Sequence, residues 1–359
     1  MPLPPLQALA PERFDTAPIL KRLNTASRAL AELKGLAASI PNQNILINTL
    51  TLQEARDSSA IENIVTTQDD LYREEDPADA AGTAVKEVLR YRQALRTGYE
   101  QVRASGLLTL NTILDIQQQL ECNRAGLRKL PGTALRDGAG KLVYEPPQDA
   151  REVQRLMGEL ERFIHDEPPF AADPLVKMAL IHHQFESIHP FYDGNGRTGR
   201  IINVLHLVKE GLLDIPVLYL SRHIVRTKPD YYRLLQAVRD DDAWEDWVLY
   251  VLDAVAATAT ETITTVQAIK DLLQATKQRI RDGYKFYSQD LINNLFNHPY
   301  TRVEFAQREL GVSRLTATRY LDKLAEDGLL DKIRIGRNNY YINRPLFQLL
   351  SREDDRPAQ

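Results

Sequence analysis

Along most of the chain apolar residues recur at intervals of three and four, the spacing of helices with one buried face. The pattern predicts helices in "ILKRLNTASRALAELKGLA", "PNQNILINTLTLQEARDSSAIENIV", "AAGTAVKEVLRYRQALRTGYEQVRA", "TLNTILDIQQQL", "PQDAREVQRLMGELERFIHD" and "DPLVKMALIHHQFESIH". A longer stripe runs from about Trp244 to Ile280, kept apolar by Val248, Val251, Leu252, Val255, Ile263, Val266, Ile269 and Leu273. It reads as a packing helix that ties two units together; a dimer contact is the other use of such a stripe. No run repeats at a fixed period, so a solenoid is not expected.

Two stretches break the helical pattern. In "PGTALRDGAGKLVYEPP", Asp137-Gly138 and Gly140 mark a turn between Leu135 and Leu142–Tyr144, which predicts a β-hairpin. The second begins near residue 296. There a helix over about Val303 to Leu310, a turn at Gly311 and a second helix capped by Ser313 and ending near Glu326 precede Gly328. "LDKIRIG" and "NNYYIN" then read as strands joined through Gly336-Arg337-Asn338, so the stretch resembles a winged helix-turn-helix. Residues 301–345 carry nine basic and six acidic side chains, with Arg314 and Arg319 on the second helix and Arg334 and Arg337 at the wing. That arrangement suits DNA phosphates, and equally a solvated module that contacts protein.

Composition narrows the class only slightly. Hydrophobic content of 43% and charged content of 26% are those of an ordinary soluble protein, and 359 residues suffice for two or three packed units. A net charge of -4 gives no global pull towards nucleic acid or anionic membrane. Cys122 stands alone, which rules out an intrachain disulfide. "MPLPPLQALAPERF" lacks the basic and apolar segments of a signal peptide, and no run reaches about 18 apolar residues, so a soluble, cytoplasmic protein with no membrane partner is expected.

The chemistry is concentrated in "HPFYDGNGRTGR", residues 189–200. Read from Gly194 it is Gly-x-Gly-x-x-Gly, but the residues before it, Ile188 to Asp193, include a proline and an acid, which do not suit a central strand. Upstream Leu175, Met178, Ala179, Ile181, Phe185 and Ile188 have helical spacing, so a helix feeds the loop and the dinucleotide fingerprint is accidental. No Gly-Lys-Ser/Thr follows, which removes a P-loop. What remains is a turn whose backbone N–H groups converge at the start of a second helix, an anion nest. Arg197 and Arg200 stand on the first turn of that helix, where the macrodipole is already positive, so an anion must offset them. A polyphosphate fits, with Asp193 offering a hard oxygen to Mg²⁺ and His189 a general base near neutral pH. His182 and His183 invite a zinc reading, but adjacent helical residues point about 100° apart and no cysteine joins them.

The stretch resembles the Fic-domain signature, His-Pro-Phe-x-Asp/Glu-Gly-Asn-Gly-Arg-x-x-Arg, at every defined position. The resemblance implies a mainly α fold: a Fic-type helical core with a β-hairpin flap, followed here by the winged helix-turn-helix. It implies a protein adenylyltransferase that moves AMP from ATP to a Ser, Thr or Tyr hydroxyl of a protein, itself included. His189 would act as base and Asp193 would hold Mg²⁺. Gly194, Asn195, Gly196, Arg197, Thr198, Gly199 and Arg200 would line the nucleotide site, with Tyr232 over the adenine. The hairpin at 132–145 resembles the flap, whose edge would pair with an extended target. "SSAIEN" resembles the Fic inhibitory motif, with Ser58, Glu62 and Asn63 at its defined positions. Ser58 and Glu62 would share a helical face, and Glu62 would pair with Arg200 where the γ-phosphate belongs.

The expected organisation is an N-terminal helical region, 1–110, carrying the inhibitory helix at about 50–66; a catalytic core, 111–250; a connecting helix, 251–285; and the winged module, 286–359. A homodimer is compatible with the resemblance. Two other functions stay open: a nucleotide-sensing DNA-binding regulator, and a Fic-type de-AMPylase in which Glu62 positions water.

Overall fold

The computed structural model describes residues 3–73, 82–136, 138–335 and 338–351. After two short 3₁₀ turns, Thr16 accepts a hydrogen bond from the Ile19 N–H and opens α1 (Ala17–Ala38), with Pro18 in its first turn. Then follow α2 (Asn44–Ile61), α3 (Gln68–Arg73) and α4 (Thr83–Ser105), the last stopped by Gly106 in the left-handed region. Capped by Thr109, α5 (Leu110–Glu121) leads to the hairpin β1 (Leu135–Arg136) and β2 (Leu142–Tyr144), which pair antiparallel as the turn chemistry predicts. Asp137 of the expected turn lies outside the described residues.

Asp149 caps α6 (Ala150–Ile164) and Asp173 caps α7 (Pro174–Ile188), which hands the chain to α8 (Asn195–Lys209). Every residue of α7 from Leu175 to Ile188 is buried, so this helix is the axis of the core rather than an amphipathic wall. The chain continues through α9 (Leu220–Arg226) and α10 (Lys228–Asp241) into α11 (Trp244–Gly283), a 40-residue helix along which α1 packs. The long stripe is therefore one uninterrupted element, and the expected boundary at 250/251 falls inside it. α2 also ends earlier than expected: Ile61 is its last residue, Glu62 is its C-cap and Asn63 turns to φ 64°. Asparagine tolerates that left-handed backbone, so the chain turns out of the helix directly after Glu62.

The C-terminal unit comprises α12 (Gln289–Asn297), β3 (Tyr300–Thr301), α13 (Val303–Leu310), α14 (Arg314–Glu326), β4 (Asp331–Ile335), β5 (Asn338–Ile342) and α15 (Arg344–Ser351). Gly311, at φ 64°, turns α13 into α14, whose first amides are capped by Ser313 as expected. The sheet has order β3-β5-β4, all antiparallel; β3 is a strand that periodicity did not reveal. Gly336 and Arg337 of the predicted wing lie outside the described residues. This unit is packed onto the N-terminal region: the side chain of Gln53 on α2 donates to the Leu350 carbonyl at 2.9 Å, and Tyr300 hydrogen-bonds Asp69.

Around the site helix, α4, α5 and α8 meet closely at Gly98. A Cβ there would lie 2.6 Å from Leu205 Cδ1 and 2.9 Å from Ile116 Cδ1. Gly98→Val should lower stability by roughly 1–3 kcal/mol through overpacking, visible as a reduced urea midpoint at unchanged m-value. An unchanged midpoint would mean that the three helices separate freely.

Candidate functional site

The turn between α7 and α8 is shaped by its own side chains. Asn195 clamps Phe191 from both sides, its Oδ1 accepting from the Phe191 N–H at 2.8 Å and its Nδ2 donating to the Phe191 carbonyl at 2.9 Å. Gly194 adopts φ 77° at the N-cap of α8, a conformation that suits glycine. No side chain caps the first amides of that helix. The positive helix end is therefore open, and two guanidiniums stand on it: Arg197 and Arg200, whose side chains are only 4% and 3% exposed. Two buried cations at a helix N-terminus demand negative charge.

Glu62 supplies it to both. Its Oε2 lies 2.8 Å from Arg197 Nε and its Oε1 accepts from Arg200 Nη2 at 2.9 Å. The expectation was a pair with Arg200 alone; the carboxylate instead bridges the two motif arginines, because it sits directly over the helix end. A Cβ on Gly196 would fall 2.9 Å from both Glu62 Oε1 and Arg200 Nη1, so the bridge lies flat on the backbone there. Ser58 completes the grip: Arg200 Nε donates to its Oγ at 2.7 Å and Nη2 to its carbonyl at 3.0 Å. Burial by itself would weaken the Arg200 cation, but Glu62, with smaller help from Tyr231, Tyr91 and Glu186, holds it protonated. Asn63 accepts from Lys228 Nζ at 3.4 Å, outside this bridge.

Arg197 carries two further acids that sequence reasoning missed, Glu121 at the end of α5 (2.8 Å) and Glu87 on α4 (3.4 Å). Burial raises the Glu121 pKa against the pull of Arg197.

His189 is the C-cap of α7 in a left-handed backbone, φ 49°, with its N–H donating to Phe185 O at 3.0 Å. A non-glycine residue held there is strained and must be over-determined by its surroundings. Burial first, then the cations Arg128 and Arg239, push its pKa down to about 4, so at pH 7 the imidazole is neutral and able to accept a proton. The hairpin is tied to the same helix end. Tyr144 donates to Ser187 O at 3.0 Å, and Arg239 lies 4.0 Å from the Tyr144 ring centroid while donating to Ser187 Oγ at 3.0 Å.

The remaining expected residues divide between the hollow and the core. Asp193 is exposed, one oxygen accepting from the Gly194 N–H at 2.7 Å. Thr198 and Gly199 face inward: Thr198 is fully buried, and a Cβ on Gly199 would lie 2.6 Å from Glu186 Oε1, so this glycine lets α7 and α8 approach. Tyr232 is 51% exposed and meets the buried Tyr231 edge-on at 5.2 Å. His182 and His183 are buried, bonded to Tyr231 Oη (2.8 Å) and the Leu235 carbonyl (3.3 Å), and no metal-binding His/Cys/Asp/Glu group occurs among the described residues. On α14, Arg314 pairs with Glu304 at 2.7 Å and Lys323 with Asp327 at 2.9 Å. Arg319 is exposed, and Arg337 lies outside the described residues. Glu87, Glu121, Glu186, Arg128 and Arg239 reach the site from five separate places, and no motif marks them.

Three family models match the chain: "Fic/DOC family N-terminal" over residues 20–100, "Fic/DOC family" over 107–207, and "Protein adenylyltransferase SoFic-like, C-terminal domain" over 272–346. The chain is 25% identical to Protein adenylyltransferase Fic of Aedes aegypti over 157 residues, 44% of this chain and 30% of that protein. It is 31% identical to Protein adenylyltransferase fic-1 of Caenorhabditis briggsae over 122 residues, 32% of this chain and 23% of that one. The match thus spans less than a third of these relatives. In fold it is similar to a Fic family protein from Desulfovibrio desulfuricans G20 (TM-score 0.58, 23% identity, 91% of this chain and 96% of that). It is also similar to Fic-1 of C. elegans (TM-score 0.52, 20% identity, 70% of this chain and 74% of that). Among the described residues no helix is long and apolar enough to cross a membrane.

Buried titratable groups in the helical core oppose one another in pH. Burial pushes His182 down to about 3 and His189 and His206 to about 4, against an ordinary 6.5. Their contribution is complete above about 6.5 and is lost as pH falls towards 4. Burial lifts Glu54 and Glu186 to about 7 from 4.5, so their contribution is complete below about 4.5 and is lost as pH rises to 7. Glu186→Gln should remove one falling term. Its Tm relative to the parent should therefore climb between pH 4.5 and 7, by roughly 5 °C. A constant offset across that window would show that Glu186 does not take up a proton on folding.

Proposed function

The chain belongs to the Fic/DOC family, and on that premise we propose that it is a protein adenylyltransferase restrained by Glu62. AMP passes from ATP to a Ser, Thr or Tyr hydroxyl of a protein, itself included. One observation carries this reading: a carboxylate bridges Arg197 and Arg200 at 2.8 and 2.9 Å over an uncapped helix start, where an anion of the substrate belongs.

The residues divide the work by charge. His189, neutral at physiological pH, takes the proton as the hydroxyl oxygen bonds the α-phosphorus, while the bond to the pyrophosphate oxygen breaks. The α8 amides around Gly194, Asn195 and Gly196 donate to phosphate oxygens, and Arg197 and Arg200 neutralise the charge that builds on the leaving pyrophosphate. Asp193 suits a magnesium ion: it is exposed, only one of its oxygens is engaged, and Mg²⁺ commonly takes one carboxylate plus substrate phosphates. When bound, that ion would supply charge neutralisation to the phosphates. The outward ring of Tyr232 is available to the base. Phosphate binding and the Glu62 bridge compete for the same guanidiniums, so ATP seats fully only when Glu62 withdraws. If Glu62 also positions water, the unmutated chain removes AMP from a modified protein.

Glu62→Gly should raise transfer of radiolabelled AMP onto protein by about 10- to 100-fold. His189→Ala in that background should lower it by roughly a hundredfold or more. Equal labelling with Glu62 and with glycine would remove the brake; labelling that survives His189→Ala would remove the base.

A further inference from the structure

We propose that Arg128 is the positioning residue of this site, holding the His189 turn and the base of the hairpin in one register. The proposal rests on the adenylyl-transfer reading for its consequence, but not for its geometry.

The Arg128 residue is only 1% exposed, and among the described residues it pairs with no carboxylate. All the hydrogen bonds of its guanidinium go to backbone carbonyls: Nε to His189 O at 2.8 Å, Nη2 to Ile188 O at 3.3 Å, and Nη2 to Pro147 O. Its own N–H donates to Pro190 O at 2.9 Å. Ile188 and His189 end α7, where carbonyls lack helical partners and the dipole is negative, so a cation there is offset without a counter-acid. A simple helix cap would need nothing more. The bond to Pro147, three residues after β2, does not serve the helix at all; it reaches the chain leaving the hairpin. One rigid fork thus spans the segment that carries the base and the segment that carries the hairpin, which a lysine's single point charge cannot do.

Two effects follow. Loss of the fork lets the imidazole drift relative to a hydroxyl docked along the hairpin, which lowers turnover without touching the phosphate site. The same cation also adds to burial in lowering the His189 pKa. The groups that act on His189 from neighbouring elements are Arg128 on the loop before the hairpin, Arg239 on α10, the Glu186 backbone on α7 and Glu62 at the end of α2; the two guanidiniums oppose its protonation and the other two favour it.

The test places Arg128→Gln and Arg128→Lys in the full-length Glu62→Gly chain. Auto-adenylylation with MgATP is followed as kcat and KM against pH, and the His189 ring is titrated by NMR in ¹³C-histidine-labelled protein without nucleotide. Arg128→Gln should lower kcat by about a hundredfold with KM for ATP changed less than about threefold. It should also raise the His189 titration midpoint by roughly one unit. Arg128→Lys retains the buried cation and is chosen to fold. It should keep the midpoint low and recover only part of kcat. Parental kcat in folded Arg128→Lys, or a loss confined to KM, overturns the register role. An unmoved midpoint in Arg128→Gln overturns the charge role. If the Glu62→Gly parent transfers no AMP, the enzyme reading fails, and the NMR titration still decides whether Arg128 governs His189.

Discussion

The open, doubly cationic start of α8 is the constraint on which this molecule is built. An uncapped helix end and two nearly solvent-free guanidiniums cannot stand without negative charge nearby. Glu62 meets that need by bridging both, and Glu121, Glu87 and Ser58 hold what it leaves. The contact that balances charge in the folded chain also occupies both motif arginines.

The packing of α2 does not depend on that contact. α2 is anchored by groups upstream of the brake: Glu54 accepts from Tyr91 and Ser221, Asp57 pairs with Arg222, and Gln53 reaches the Leu350 carbonyl on α15. Glu62 stands just beyond, at the C-cap, with its side chain 26% exposed. The C-terminal unit contributes to this anchoring by contact with α2, whatever else its surface does.

The base side of the site obeys a different logic. α7 is buried on every face, so its last residues have no freedom to relax, and His189 is left in a left-handed backbone that a looser helix end would not sustain. Ser187, Ile188 and His189 offer their polar groups to Tyr144, Arg128 and Arg239, which links the hairpin to the imidazole. Two cations beside a buried histidine also keep it unprotonated. Position and protonation state are thus set by the same neighbours.

Much of this was legible in the residue order. Helical periodicity gave the main helices; turn chemistry gave the hairpin and the Gly311 turn. The twelve residues from His189 to Arg200 marked the uncapped helix start, its two arginines and the histidine beside it, because those features are local and need only one turn of chain. "SSAIEN" pointed to a brake because Ser58 and Glu62 are four apart. Local pattern could not say that Glu62 would take both arginines, since that depends on where the end of α2 lands on α8. Nor could it separate the buried Thr198, or Gly199 turned into the α7 contact, from the residues that face the hollow. Arg128, Arg239, Glu87, Glu121 and Glu186 lie on four helices and a loop and carry no shared spacing; a charged residue looks solvated until packing strips its water and gives it a partner. The chain order determined which groups could bind an anion and move a proton, and the packing of α2, α5, α7, α8 and the hairpin decided which of them meet.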